Sequence, residues 1–150
     1  MGAIAHVSPA ATHPHVFAEA NLEVAVDPNR NVTSLRHVWR FDDLFSSTVL
    51  LEFDKNADLK LDDSELEEVG AVVHESLAEF GYFQFVSADG KDVEMDAPPR
   101  IMAMFEDNQL TILFESHPKH ALKLAGTVAF GVYDPTFYTA IDFYDDASLT

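Results

Sequence analysis

The segment Asp54-Lys55-Asn56-Ala57-Asp58-Leu59-Lys60-Leu61-Asp62-Asp63-Ser64-Glu65 carries oxygen donors at the first, third, fifth, ninth and twelfth places of a twelve-residue window. This is the spacing of an EF-hand calcium loop and the strongest chemical signal in the chain. Ca²⁺ is a hard cation that takes roughly six to eight oxygens. The window offers Asp54, Asn56 and Asp58, the carbonyl of Lys60, Asp62 directly or through water, and a bidentate Glu65. The sixth place departs from the pattern. The backbone turns there with φ > 0, which glycine adopts freely and Leu59 adopts at roughly 1 kcal/mol or more. Two readings follow: a calcium loop that is weak or decayed, or an acidic turn between two helices.

Histidines form a second group. In His13-Pro14-His15 two imidazoles lie on the same side of an extended segment, and the proline enforces the extension. With His6 nearby, they could hold Zn²⁺, Ni²⁺, Co²⁺ or Cu²⁺, all of which accept imidazole nitrogen; the alternative is a chance pairing in a tail. His37 shares its side of a strand with Leu35, Trp39 and Phe41, so it reads first as a hydrogen-bonded core histidine and second as a further ligand. His117-Pro118-Lys119-His120 is looser, and the charge of Lys119 opposes a cation, so it reads as a polar connector. His74 falls on the exposed side of a helix and is expected to be solvated. No glycine-rich phosphate loop, G-x-S-x-G elbow, HExxH motif or cysteine nucleophile is present, and an enzyme is not expected.

The elements that must position these groups show in the apolar periodicity. From His15 to Val26 apolar residues alternate strictly, which predicts a half-buried strand. The turn formers Asp27-Pro28-Asn29-Arg30-Asn31 then fold the run from Val32 to Phe41 back as its antiparallel partner. Asp42 or Asp43 can cap a helix through Leu44, Phe45, Val49, Leu50 and Phe53. A second helix, carrying Leu66, Val69, Val72, Val73, Leu77 and Phe80, runs to Gly81. The acidic window thus falls between two helices, at about residues 42–81. Strands follow over Tyr82–Ser87, Asp92–Met95, Arg100–Glu106, Gln109–Glu115, Ala121–Tyr133 and Phe137–Phe143. The expected fold is mainly β (α+β): a β-sandwich-like domain with an inserted EF-hand-like helix-loop-helix.

The 150 residues are 47% hydrophobic, enough for one core, and residues 13–150 read as a single domain. Twenty-six acidic residues against nine basic ones give a formal charge of −17, which repels phosphate backbones and anionic lipid, so nucleic acid is not an expected partner. Without cysteine, any metal must be held by histidine, carboxylate or carbonyl groups. No apolar stretch of about 20 residues predicts membrane insertion. Ala3-Ile4-Ala5 has the form of a signal-peptidase site without the preceding apolar region. Residues 1–12 therefore read as the flexible mature amino terminus of an exported protein or a signal remnant, or as an ordinary tail of small residues.

Taken together, several segments resemble one bacterial family of unknown function. They are His13-Pro14-His15-Val16, Leu35-Arg36-His37-Val38-Trp39-Arg40-Phe41-Asp42, the Asp54–Glu65 window, Phe80-Gly81-Tyr82-Phe83 and Val132-Tyr133-Asp134-Pro135-Thr136-Phe137-Tyr138. The family is described as the periplasmic component of an uncharacterised ABC-type transport system. The resemblance implies a periplasmic accessory protein for zinc or nickel/cobalt handling, with membrane transporter components as partners and His13 and His15 as metal ligands, helped by His6 or His37. Leu59, where the family carries glycine, weakens what the resemblance implies about calcium. The alternative is a calcium-stabilised interaction module that docks a transporter and binds no transition metal.

Overall fold

The structure is a computed structural model that describes residues 14–143. Strand β1 (Val16–Val26) and strand β2 (Asn31–Phe41) form the long antiparallel hairpin that the alternation predicts. Asp27 closes its turn, accepting the N–H groups of Asn29 and Asn31 at 2.9 and 2.8 Å. The Asn31 N–H, donated to the ionised carboxylate, holds the Asp27 pKa below its ordinary value.

Helix α1 (Asp43–Phe53) starts where Asp42 serves two donors. One oxygen accepts the Phe45 N–H at 3.3 Å and caps the helix, and the other accepts the Phe17 N–H at 3.1 Å, tying the helix to β1. Ser46, fully buried, accepts the N–H of Leu110 at 2.9 Å and so docks α1 on a strand far along the chain. Helix α2 (Asp63–Ala78) follows the acidic window, capped by Asp62. Between α2 and the next strand, Gly81, Tyr82 and Phe83 all have φ near +60°, at 59°, 59° and 56°. Two of the three are not glycine, and each costs about 1–2 kcal/mol in that region. Burial of both aromatic rings, with Phe83 stacked on Trp39 at 5.9 Å, offsets the strain.

The remaining strands are β3 (Gln84–Ala88), β4 (Lys91–Asp92), β5 (Met102–Glu106), β6 (Gln109–Ser116), β7 (Leu122–Lys123), β8 (Val128–Val132) and β9 (Thr139–Phe143). They complete two sheets. The larger runs β5-β6-β2-β1-β9, with β7 also paired to β2, and the smaller runs β4-β3-β8. The fold is mainly β, with its two described helices between β2 and β3. Two runs depart from the sequence reading. The strand expected over Asp92–Met95 is reduced to β4, Lys91–Asp92. The run Ala121–Tyr133 is not one strand: it breaks at Gly126, φ 69°, into β7 and β8, which belong to different sheets. The Asp89 carboxylate packs against Gly126 and accepts the Thr127 N–H at 3.0 Å, fixing the break. The closing strand, β9, lies parallel to β1.

One face of the larger sheet is the core. Val16, Ala18, Ala20 and Leu22 of β1, Leu35, His37, Trp39 and Phe41 of β2, and Leu110, Ile112 and Phe114 of β6 are all buried there. The helix pair reaches this sheet through Ser46 and through Gly70, whose Cα lies against the Ile101 carbonyl. The smaller sheet reaches it through Gln84, which bonds His37 and Ser116. None of the described helices is long and apolar enough to cross a membrane.

Candidate functional site

The acidic window lies between α1 and α2, where the sequence puts it, and its backbone turns as the ligand spacing requires. Leu59 has φ 61° and Ala57 φ 57°. Leu59 is left-handed despite its side chain, which is 70% exposed and so meets no packing obstacle. The conformation is held by Asp54, whose carboxylate accepts the N–H groups of Leu59 at 2.8 Å and Asp58 at 3.3 Å. Asn56 accepts a second bond from the Asp58 N–H at 3.2 Å, and Asp58 accepts the Lys60 N–H at 3.0 Å. Each side chain that the spacing marks as a ligand thus also shapes the loop.

Glu65 shows the competition most clearly. It is 3% exposed, and its two oxygens accept the N–H groups of Lys55 at 2.6 Å and Asp62 at 3.0 Å. Asp62 in turn accepts the Glu65 N–H at 2.8 Å, so the pair is a reciprocal capping box on α2. The signature Asp62-x-x-Glu65 was legible in the sequence, where both residues read as calcium ligands instead. Lys55 sits beside the loop in an ion pair with Glu68 at 2.6 Å, and that bond holds its ammonium pKa above the ordinary value. Among the described residues no three histidine, cysteine, aspartate or glutamate groups converge in a metal-holding cluster. The donor chemistry still suits Ca²⁺: every side-chain donor is a hard oxygen, and a carboxylate oxygen bonded to one N–H keeps a second lone pair.

The structure separates the histidines. His6 and His13, and the division proposed for residues 1–12, lie outside the described residues. His15 is exposed at the start of β1, its ring 5.2 Å from that of Tyr138. His37 does not join it. The register places His37 opposite Leu22, roughly 20 Å along β1 from His15 at about 3.3 Å per residue. It is a core residue, 1% exposed, stacked on Phe114 at 4.5 Å, with Nε2 donating to the Gln84 oxygen at 3.0 Å. Ser116 donates to the same oxygen at 2.6 Å, so Nε2 carries the proton and Nδ1 is left as a buried acceptor without a donor. Burial, only partly opposed by the Gln84 bond, pushes the His37 pKa down to about 4. His74 is not solvated as expected: its Nε2 donates to the Pro98 carbonyl at 2.7 Å, and the Tyr82 hydroxyl lies 3.3 Å away. His117 bonds the Thr33 carbonyl at 2.8 Å, in keeping with a connector.

The sequence reads Asp134-Pro135 as the turn between two strands and gives the Asp134 carboxylate no further role. Asp134 is 4% exposed and accepts the N–H and hydroxyl of Thr136 at 2.8 and 2.6 Å and the N–H of Thr139 at 2.9 Å. Burial works to raise its pKa, but the Thr136, Thr139 and Tyr138 hydrogen bonds outweigh it and hold the carboxyl below its ordinary value. The turn so fixed presents the Tyr138 carbonyl to the N–H groups of His15 and Val16 at 2.8 and 3.1 Å. Asp134 therefore positions His15. The Asp-Pro pair signals the turn in the sequence, and the following threonine is the signal for the carboxylate's part in it, because aspartate accepts from the backbone two residues on in turns of this kind.

Fold and site together define a mainly β domain with an acidic, oxygen-rich loop joining its two described helices. The chain belongs to the family described as Protein of unknown function (DUF1007), whose model matches residues 1–150. No curated protein and no solved structure matches it.

Proposed function

We propose that this domain is a metal-binding accessory protein of a periplasmic metal-transport system, with Ca²⁺ bound in an EF-hand-like loop at Asp54, Asn56, Asp58, Lys60, Asp62 and Glu65. The observation that carries the reading is the left-handed Leu59 held by both oxygens of Asp54. The turn that this ligand spacing needs is formed without its usual glycine, so Leu59 lowers affinity without abolishing the loop. To bind the ion, Glu65 must turn at least one oxygen from the backbone N–H groups it now serves.

A second reading places Zn²⁺, Ni²⁺, Co²⁺ or Cu²⁺ at His13 and His15, with help from His6. What favours it is the anchoring of His15 at the strand start by Asp134 and Tyr138, which would hold one imidazole in a fixed, exposed position. In both readings the partner is a membrane transporter component, and the charge of −17 draws cations to the surface.

Metal-stripped protein is expected to melt at a higher temperature when Ca²⁺ is added, because the folded chain binds the ion and the unfolded chain does not. Leu59→Gly should strengthen the response by relieving the turn. Asp58→Asn should weaken it, since the asparagine oxygen can still accept the Lys60 N–H while the charge is lost. Glu65→Gln should abolish it. A wild type and a Leu59→Gly variant that both ignore Ca²⁺ in calorimetric titration would overturn the calcium reading. A zinc or nickel titration unchanged by replacing His13 and His15 with alanine would overturn the second.

A further inference from the structure

Strand β8 is an open edge of the smaller sheet: it pairs with β3 on one side and, among the described residues, with no strand on the other. The bonds at its two ends fix which of its backbone groups are spare. The Tyr133 N–H donates to the Phe83 carbonyl at 3.0 Å, and the Asp89 N–H donates to the Thr127 carbonyl at 2.7 Å. Bonded pairs alternate along an antiparallel ladder, so on this strand they fall at Thr127, Ala129, Gly131 and Tyr133. The N–H and C=O groups of Val128, Phe130 and Val132 therefore point away from β3, and no described residue bonds them.

Sheet edges are commonly guarded by a charge, a proline, a bulge or a covering helix. At the opposite edge of this sheet, β4 is two residues long and both are charged. In the larger sheet, α2 lies against the Ile101 carbonyl, at the entry to β5, through Gly70. β8 has no such guard. From Gly126 to Tyr133 the sequence holds no charged residue and no proline, in a chain of formal charge −17. The register with β3 runs without a shift. The outer face beside this edge carries the small residues Ala129 and Gly131, next to the rings of Phe85 and Tyr133, which stack at 4.0 Å and are 37% and 50% exposed.

Charge and symmetry together select the occupant. An uncharged strip offers a charged segment no counter-charge, and burying an unpaired charge along it is costly. The spare groups are spaced evenly about Phe130. A two-fold axis there sets Val128 against Val132 of a second copy, Phe130 against Phe130, and Val132 against Val128, and each facing pair exchanges both bonds. One antiparallel register thus satisfies every spare group with the chain's own sequence. Repulsion between two chains of charge −17 is also smallest along a strip to which neither contributes a charge.

We propose that β8 is a homodimer interface, at which two copies join edge to edge so that β4-β3-β8 continues into β8-β3-β4 of the second copy. Ala129 then faces Gly131 across the axis, and Tyr133 comes opposite Thr127. A pairing of this length is small for a specific interface, so the dimer is weak and grows with concentration.

Backbone-amide exchange followed by NMR reads the edge residue by residue. Raising the protein from about 20 μM to about 1 mM should slow exchange at Val128, Phe130 and Val132 at least about tenfold, while Ala129 and Gly131, already bonded to β3, stay unchanged. Sedimentation should show a monomer–dimer equilibrium over the same range, tightening between about 0.05 and 0.5 M NaCl as salt screens the remaining charge. Ala129→Glu alters an exposed side chain, leaves the bonds to β3 in place and sets like charges diagonally across the axis. It should weaken the dimer at least about tenfold, and Ala129→Thr should not. The exchange pattern needs no variant, so it decides the matter even if Ala129→Glu fails to fold. Edge amides protected at every dilution would mean that the edge is closed within one chain, and edge amides open at every concentration would mean that it takes no second copy. A dimer undiminished in folded Ala129→Glu would use another surface. Each of these outcomes overturns the proposal.

Discussion

Lowering the pH from 7.5 to 4.5 is expected to remove about 2–3 kcal/mol of folding stability through His37 alone. Its imidazole titrates near the ordinary 6.5 in the unfolded chain and at about 4 in the folded one. Between those values the unfolded state binds the extra proton, so stability rises with pH across the window, is complete above about 6.5 and is lost progressively toward 4. The cause is geometric. Protonation adds an N–H at Nδ1, which has no partner in the core, while Nε2 already spends its proton on Gln84. Carboxylates and the other histidines also respond to acid, so the measurement is a difference. Urea denaturation of wild type and His37→Leu at both pH values should show the variant losing less stability by about that amount. Gln84 keeps Ser116 as a donor in the variant, so the substitution leaves no new unpaired acceptor. Equal losses in the two proteins would mean that His37 titrates normally and is not shut in the core.

Gly70→Ala should destabilise the domain by about 1–3 kcal/mol, although alanine is worth about 1 kcal/mol over glycine in a helix interior. A Cβ at this position would sit well inside the van der Waals contact distance of the Ile101 carbonyl oxygen, which is backbone and cannot swing away. Either α2 lifts from the residues leading into β5 or that segment shifts. Both disturb Val69, 1% exposed beside it. A melting temperature lower by about 2–4 °C per kcal/mol would report the clash. A rise would show that the helix relaxes at no cost and that the close approach is not required.

Much of this architecture was legible where a single period governs a segment. The alternation in β1 sets its buried face residue by residue, and the shift to helical spacing after Asp42 locates α1 and α2. His37 is instructive because one pattern supported two readings. Its neighbours Leu35, Trp39 and Phe41 favoured the core, and only the register, opposite Leu22, removes it from His15. What stayed hidden depends on contacts between distant segments. Ser46 looks like an ordinary helix surface residue until Leu110 donates to it. Gln84 gains its role from His37 and Ser116. The break at Gly126 depends on Asp89 across the smaller sheet. The acidic window is ambiguous for a different reason: carboxylates that can ligate an ion are also good backbone acceptors, so spacing alone does not tell a capping box from a ligand set. The apolar cleft between the helix pair and the larger sheet was unreadable because its walls come from both helices, four strands and a turn.

The parallel pairing of β9 with β1 makes the hairpin hostage to a segment far along the chain. As residues emerge in order, β1 and β2 can zip together at once, but the outer edge of β1 offers unsatisfied N–H and C=O groups until Thr139–Phe143 arrives. A nascent chain therefore carries the edge at Val16–Ala20 without this partner until β9 has been made. If the protein is exported unfolded, that late closure is useful, since the domain stays threadable until β9 is present. The same delay makes a truncated copy a ready template for strand addition by any neighbour.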